Sequence, residues 1–310
     1  MSNATPPQLL QPLLQAYRGD LLVRLSEGGP GWYVRDHVVS HYFDADDDPA
    51  EIAEMIAAIN TDIVLRHHPE PDGPLWALGT TGNDVVVSDD HDVSVSVDDG
   101  KDVVITGAGD DYLSGDGGDD WLYGGAGDDN LLGGAGNDRL VGELGDDMLN
   151  GGSGDDRLFG GDGNDRLHGD GGNDRLNGGA GDDIYFFGKT DGADRIFNND
   201  ADGDDRVQFR NGIDPGQLWL RRLGSNLEVM LTETGDTLTL YHWFAGEQYR
   251  VDRFQLSSDG MAPNCSYLSS DKVEVLVAAM SALPPPQVGT TVLPPHYQVA
   301  LNAVLAASWT

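Results

Sequence analysis

A large apolar residue recurs every nine positions from residue 79 to residue 186. It is the eighth residue of the pattern G-G-x-G-x-D-x-U-x, where U is the apolar residue, and twelve consecutive units of this pattern fill the 108 residues. The glycines allow the first six positions to turn, because glycine adopts positive φ readily. The last three positions predict a short strand whose middle side chain points inward. With two units in each coil, the pattern predicts a solenoid of 18-residue coils.

The sixth position of the unit is Asp in every unit except the second, which has Val93. Alternate units stack on each other, so the Asp residues form two rows. The first Asp ladder contains Asp84, Asp102, Asp120, Asp138, Asp156 and Asp174. The second Asp ladder contains Asp111, Asp129, Asp147, Asp165 and Asp183. Carboxylates stacked one coil apart repel each other unless a cation lies between them, and turn carbonyls supply the oxygen ligands that Ca²⁺ prefers. The gaps within the two ladders predict about nine calcium sites.

Beyond residue 186 the spacing lengthens to eleven residues, and Asp194 and Asp205 extend the series. Strand-like runs then follow at 218–223, 227–232, 237–244 and 249–256, separated by turn residues. Such runs predict antiparallel hairpins. An open solenoid end requires a cap, so we expect this block to close the last coil.

Apolar residues at helical spacing predict three helices in the flanking segments. In the N-terminal segment, Asp48, Pro49 and Glu51 favour a helix start, and the apolar face falls within 52–59. Near the C-terminus, Asp271 favours the start of a second helix. The apolar faces of the two C-terminal helices contain Val273, Leu276, Val277 and Met280, and Tyr297, Leu301, Val304 and Leu305.

The outward strand positions differ between the two predicted sheets. One sheet has an apolar outward row, Val87, Ile105, Tyr123, Val141 and Phe159, whereas the other has Ser96, Ser114, Leu132, Asn150 and His168. An exposed apolar row indicates a covering segment or a binding surface. The 52–59 helix or a C-terminal segment is one candidate, and a ligand or partner is the other. Both interpretations predict that Tyr123 and Phe159 are buried.

The net charge of the chain limits the classes of molecule that it can bind. The 310 residues include 53 acidic and 18 basic residues, which give a net charge of −35, and residues 79–186 contribute −21 of it. Such a polyanion argues against nucleic acid and anionic membranes as partners. A single cysteine, Cys265, cannot form an internal disulfide. The sequence predicts neither a transmembrane helix nor a cleavable N-terminal signal.

Two other motifs suggest a catalytic or metal site, but each lacks an essential residue. His37 and His41 have the spacing of zinc ligands on a helix, yet Val38 stands where metalloproteases have the general-base Glu. Residues 44–55 begin like an EF-hand but lack its Gly and its terminal Glu, which favours a helix cap. No hydrolase motif is present, so we expect the chain to be non-enzymatic.

The repeats resemble the RTX (repeats-in-toxin, haemolysin-type) calcium-binding family over about 79–260. The resemblance implies an all-β dominated fold: a right-handed parallel β-roll, which is a calcium-bound solenoid, with a β-hairpin C-terminal cap. Small α/β N-terminal and helical C-terminal flanks complete the fold. The corresponding boundaries are 1–78, 79–209 (roll), 210–260 (cap) and 261–310.

The resemblance also implies the metal ligands, which are the sixth-position Asp and glycine carbonyls of the turns. The expected ligands are the residues of both Asp ladders together with Asp194, Asp205, Gly107, Gly125, Gly134, Gly152, Gly161 and Gly179. The pattern is broken at His91 and Val93 and at the second-position residues Asp116, Glu143 and Asp170. These departures predict an irregular first coil and some irregular turns.

RTX proteins leave bacteria by type I secretion, so the resemblance implies an extracellular protein, whether free or at the cell surface, whose partner is the type I secretion machinery. Segment 261–310 is then the expected export signal. Two alternatives remain open. In the first alternative, the chain is the accessory C-terminal module of a larger secreted hydrolase or polysaccharide-modifying enzyme. In the second, it is an adhesin or carbohydrate-binding tail whose partner is a cell surface or a polysaccharide.

Overall fold

Two stacks of short parallel strands dominate the fold and enclose a shared core. The computed structural model describes residues 62–63, 75–79, 81–87, 92–200, 203–210, 212–256 and 267–309. The predicted 52–59 helix, the pair His37 and His41, the EF-hand-like run and His91 lie outside the described residues.

Twenty-one strands are present in the described residues. In chain order they are β1 (Asp62–Ile63), β2 (Leu75–Leu78), β3 (Asp84–Val87), β4 (Val93–Ser96), β5 (Val103–Ile105), β6 (Tyr112–Ser114), β7 (Trp121–Ala126), β8 (Asn130–Ala135), β9 (Arg139–Leu144), β10 (Met148–Ser153), β11 (Arg157–Asp162), β12 (Arg166–Gly171), β13 (Arg175–Ala180), β14 (Ile184–Phe187), β15 (Ala193–Ile196), β16 (Arg206–Phe209), β17 (Leu218–Leu223), β18 (Asn226–Leu231), β19 (Thr237–Leu240), β20 (Arg253–Leu256) and β21 (Tyr267–Ser269).

Odd-numbered and even-numbered strands separate into the two sheets. The first sheet has the order β1-β3-β5-β7-β9-β11-β13-β15-β19-β18-β17, and the second has the order β2-β4-β6-β8-β10-β12-β14-β16-β20-β21. The pairing within the repeats is parallel with partners 18 residues apart, so Leu149 faces Leu131 on one side and Leu167 on the other. The predicted parallel solenoid is therefore confirmed.

The strands are longer than the pattern predicts. From β7 to β13 each strand has six residues and runs through the first three positions of the following unit. The two glycines of each unit therefore lie in extended strand pairings as well as at the start of a turn. Backbone N–H and C=O groups of neighbouring coils satisfy each other there, which explains the extension.

The eighth-position side chains form the core, as predicted. From Val104 to Leu176 each has 0% of its surface exposed. The inward positions of β14, β15 and β16 hold Tyr185, Ile196 and Val207, which are also fully buried. Because the next coil covers each inward residue, the core forms a continuous column along the roll.

The cap continues the two stacks. Strand β19 pairs in parallel with β15, and β20 pairs in parallel with β16. The predicted antiparallel pairing is present between β17, β18 and β19 and between β20 and β21. The predicted run 237–244 ends at Leu240 because turns follow, and the run 249–256 becomes a strand only from Arg253.

Two helices follow in the described part of the chain, α1 (Ser270–Ser281) and α2 (Pro295–Ser308). Their predicted apolar faces are correct in large part: Val273, Leu276, Val277 and Met280 are buried in α1, and Tyr297 and Leu301 are buried in α2. Helix α1 packs against α2 and β17. Neither of these helices is long and apolar enough to cross a membrane.

The parallel stacks cross both expected boundaries of the roll. Strands β1 and β2 precede residue 79, yet they pair in parallel with β3 and β4. At the other end the stacks pass residue 209 into β19 and β20. Strand β4, which carries Val93, also pairs in parallel with β6. The described strands of the first coil therefore keep the regular register, whereas His91 lies outside the described residues.

The apolar outward row is covered as predicted at Tyr123, which is 3% exposed, and Phe159 is half-buried. The guanidinium of Arg139 lies 4.9 Å from the ring centre of Phe159 and 5.3 Å from that of Trp121. Helix α1 packs on the cap instead of this row, and the 52–59 segment lies outside the described residues.

Candidate metal centre

Both Asp ladders lie inside the roll, at the start of each strand. The sixth-position carboxyl groups expected from the sequence, from Asp84 to Asp183, are 3% exposed or less. Backbone pairing 18 residues apart brings successive members of each ladder one coil from each other. The structure therefore brings together the carboxylates that the sequence spacing predicts to stack.

One oxygen of each ladder carboxylate from Asp102 to Asp183 accepts a hydrogen bond from the backbone of the preceding coil. The N–H of Asp120 donates to Asp138 Oδ1 at 2.8 Å, and the N–H of Asp129 donates to Asp147 Oδ1 at 2.8 Å. The same bond joins successive members along both ladders at 2.6–2.9 Å. Val93 contributes no carboxylate, but its N–H still donates to Asp111 Oδ1.

The other oxygen, Oδ2, is buried and accepts no hydrogen bond from the protein in eleven carboxylates. They are Asp102, Asp111, Asp120, Asp129, Asp138, Asp147, Asp156, Asp165, Asp174, Asp183 and Asp194. Buried polar atoms are nearly always paired, and an unpaired buried carboxylate is costly. A series of such atoms, repeated at one position of a repeat, indicates a bound cation.

The first-position glycines provide the space beside Oδ2. A Cβ added to Gly133 would lie 2.5 Å from the carbonyl oxygen of Gly151 and closer still to Asp138 Oδ2. At Gly115 the same position faces the carboxylate of Asp120 and the carbonyl of Gly133. A side chain at these positions would fill the space. A carboxylate and backbone carbonyls that converge here form a set of hard oxygen donors, which fits Ca²⁺.

These first-position carbonyls are candidates that the sequence analysis missed. It assigned second-position glycines instead, and the carbonyls of Gly107, Gly134 and Gly161 point along the stack toward the second-position glycine of the next coil. The carbonyl of Gly107 also accepts the N–H of Ala126 at 2.8 Å. The pair of glycines at the start of each unit was the available signal for these carbonyls. The first glycine leaves space beside the carboxylate, and the second adopts positive φ.

The non-glycine residues at the second position keep the turn conformation. Asp116, Glu143 and Asp170 have φ of 62°, 85° and 65°, so they adopt the positive φ of the second-position glycines. Glu143 faces Gly125 and Gly161 in register. The positive φ of the turn is therefore kept at these positions, where these side chains carry a modest backbone strain. The prediction of less regular turns agrees with β6, which ends at Ser114 before Asp116.

Burial raises the pKa of the ladder carboxyl groups far above the usual 3.8. The pKa is about 8 for Asp120, Asp147, Asp156 and Asp183, about 7 for Asp102, Asp129 and Asp165, and about 6 for Asp138. The N–H donated by the preceding coil opposes the effect of burial, and nearby carboxylates add to it. Burial therefore disfavours the charged form of these carboxyl groups when no cation is bound.

The ladders continue beyond the nine-residue repeats. Asp194 Oδ1 accepts the N–H of Asp174 at 3.0 Å, and Asp205 Oδ1 accepts the N–H of Asp183 at 2.9 Å. The sequence predicts both residues. It misses Asp252, whose Oδ2 accepts the N–H of Asp205 at 3.0 Å, because Asp252 lies 47 residues further along the chain. The shared Asp-Arg-apolar triplet at 194, 205 and 252 was the available signal.

Within the described ranges, no three His, Cys, Asp or Glu side chains converge on one point that could hold a metal ion. The oxygen atoms that face the ladder carboxylates are backbone carbonyls.

Comparison with known families decides the identity of the repeats. Residues 96–131, 123–158 and 150–185 match the family described as RTX calcium-binding nonapeptide repeat (4 copies). The repeats are RTX calcium-binding repeats. Residues 226–260 match the haemolysin-type calcium binding protein related domain, so the cap strands β18 to β20 belong to an RTX-associated domain as well. The RTX match begins at residue 96, which is the last residue of the unit that lacks its Asp.

RTX repeats bind calcium, so Ca²⁺ is the cation for which the two ladders supply oxygen atoms. The unpaired Oδ2 atoms and the first-position carbonyls of the RTX roll would bind it. Bound Ca²⁺ supplies positive charge that replaces the protons on the buried carboxylates. RTX repeats are also typical of secreted proteins.

Proposed function

We propose that this protein is a secreted, non-enzymatic calcium-binding module whose roll folds when several Ca²⁺ ions, about nine, bind to the two Asp ladders. The bound ions would contribute directly to the free energy of folding, because the unfolded chain has no preformed site. Type I secretion machinery is the proposed partner, and the extracellular space is the proposed location.

The observation that carries this proposal is the row of buried carboxylates with an unpaired Oδ2. Eleven such groups cannot all remain ionised inside one roll without counter-charge, because their mutual repulsion is strong at low dielectric. The core offers little compensation, since each coil buries only two inward side chains. Low calcium would therefore leave the roll unfolded, and millimolar calcium would fold it by mass action.

The circular dichroism of the full chain tests calcium-dependent folding. In excess chelator we expect the β-sheet signal and the compact radius to be lost, and addition of millimolar Ca²⁺ should restore both. The same concentration of Mg²⁺ is the control for ionic strength, and it should restore neither, because Mg²⁺ dehydrates reluctantly and requires octahedral geometry. A chain that keeps native dichroism and a compact radius in chelator contradicts the proposal.

Secretion is supported by the RTX match. Calcium-dependent folding suits export, since a chain that stays unfolded inside the cell can pass a narrow channel. We expect the chain to reach the medium of cells that have a type I exporter and to remain inside matched cells without the exporter. Equal amounts in the two media would contradict this part of the proposal.

A further inference from the structure

Asp205 extends the second Asp ladder, but its carboxylate differs from those of the repeats. Asp205 Oδ1 accepts the N–H of Asp183, as elsewhere. However, Asp205 Oδ2 is not left unpaired, since it accepts a hydrogen bond from Asn198 Nδ2 at 2.7 Å. An amide group therefore lies beside Asp205 Oδ2. In the repeats, the corresponding side of the carboxylate faces the space that the first-position glycine provides.

Asn198 is fixed in one orientation by its neighbours. It is 3% exposed, and its Nδ2 also donates to the carbonyl of Arg250 at 3.0 Å. Its Oδ1 accepts the hydroxyl of Tyr185 at 3.3 Å, and the hydroxyl oxygen accepts the N–H of Gly178 at 2.9 Å. A flipped amide would place Oδ1 against two acceptors, so only this orientation satisfies every group.

Tyr185 belongs to the same hydrogen-bond network as Asn198. It stands at an inward position where the preceding eight units all have Leu. Its hydroxyl would have no partner in an apolar core, but here it links Gly178 to Asn198. The change from Leu to Tyr and the buried Asn therefore occur together, at the coil where the regular repeats end.

The chemistry of the amide matches the need of the carboxylate. A buried carboxylate requires a positive partner or hydrogen-bond donors, and an amide supplies two donors without a net charge. By contrast, Asp194, which extends the first Asp ladder, keeps an unpaired Oδ2. Beyond the nine-residue repeats, the extensions of the two ladders therefore differ in the surroundings of Oδ2.

We propose that Asn198 takes the place of a cation at Asp205, so that calcium loading of the second Asp ladder stops at Asp183. This inference rests on the proposed function, because it presumes that the ladders bind calcium. It revises the expectation that Asp205 is a ligand and leaves Asp194 as the last loaded position of the first ladder. Asn198 thereby sets the number of ions in the roll.

Substitution of Asn198 by Asp tests the inference. The change replaces the donor Nδ2 by an oxygen and places two carboxylates side by side, which require a cation. We expect the Asn198→Asp chain to bind one more Ca²⁺ than the natural chain, as counted by equilibrium dialysis at saturating calcium. Asn164→Asp is the matched control, since it adds the same charge at an exposed turn position where neighbouring coils already have Asp146 and Asp182. Its ion count should not change.

A second pair of variants decides the matter if Asn198→Asp fails to fold. Asp205→Asn should leave the ion count unchanged, whereas Asp183→Asn should lower it. A folded Asn198→Asp chain with no additional ion, or an Asp205→Asn chain that loses an ion, overturns the inference while the calcium-binding function stands. A natural chain that binds no calcium would instead overturn the proposed function.

Discussion

Glycines of the repeat differ in what makes them necessary. Gly133, at the first position, does not require positive φ; it is needed because a Cβ would occupy the space beside the carboxylate. Gly136, at the fourth position, has φ of 140° and also lies against the carbonyl of Gly118 in the preceding coil. In the sequence, both glycines recur at the same nine-residue spacing. Only the structure shows that one position has no room for a side chain and that the other requires a special backbone conformation.

Gly133→Ala tests the role of the first position. The new methyl group would collide with Asp138 Oδ2 and with the carbonyl of Gly151, which is part of the backbone and cannot move aside. We expect the free energy of unfolding in saturating calcium to fall by about 1–3 kcal/mol, as for other overpacked sites, and calcium affinity to weaken. Chemical denaturation and calcium titration measure these two effects.

Gly216→Ala is the control for this variant, because nothing lies within 4 Å of a Cβ at that position and its φ is not positive. The control should unfold at the same denaturant concentration as the natural chain, within a few tenths of a kcal/mol. Equal stability and affinity of the two variants would show that the first position tolerates a side chain. The space beside Asp138 Oδ2 would then not be a calcium site.

At the scale of elements, the repeat strands were predictable because a single period determines both their inward face and their register. The apolar residue at position eight of each unit, such as Leu140, gives the inward face, and the nine-residue spacing gives the register. The strands are nevertheless longer than predicted. Most of their extra residues at the first two positions are glycines, which have low strand propensity, and pairing with the next coil overrides that preference.

The cap could be predicted only in part. Local turn residues predict the hairpin between β17 and β18, but the parallel pairing of β19 with β15 joins residues 44 apart, such as Ala193 and Thr237. No local pattern specifies such a pairing. Asp252 and Asn198 were missed for the same reason, since each meets Asp205 only through the tertiary fold.

For the whole molecule, the ladders couple folding to pH. The folded-state pKa values of about 6–8 lie above the ordinary value of 3.8, so without calcium the folded chain binds more protons than the unfolded chain at intermediate pH. Protonated ladders therefore stabilise the calcium-free fold at acid pH, and this stability is lost as the pH rises through 6–8.

We therefore expect that, in calcium-depleted buffer, the β-sheet signal increases as the pH is lowered from 8 to 5. With calcium present the direction reverses, because protons compete with Ca²⁺ for the same carboxylates. The calcium concentration at half-saturation should rise as the pH falls from 8 to 6. Circular dichroism and calcium titrations at several pH values measure both trends, and an affinity that is constant over this range would contradict the role of the ladders.

The 18-residue register also determines which changes in length the roll can accept. Deletion of two consecutive units would return every later strand to its own stack, one coil shorter. Deletion of a single unit would instead move every later strand to the opposite sheet and exchange the two outward rows. The cap strands β19 and β20 would then each lie at the end of the sheet with which they do not pair. During evolution, such a roll is therefore expected to grow and shrink by pairs of repeats.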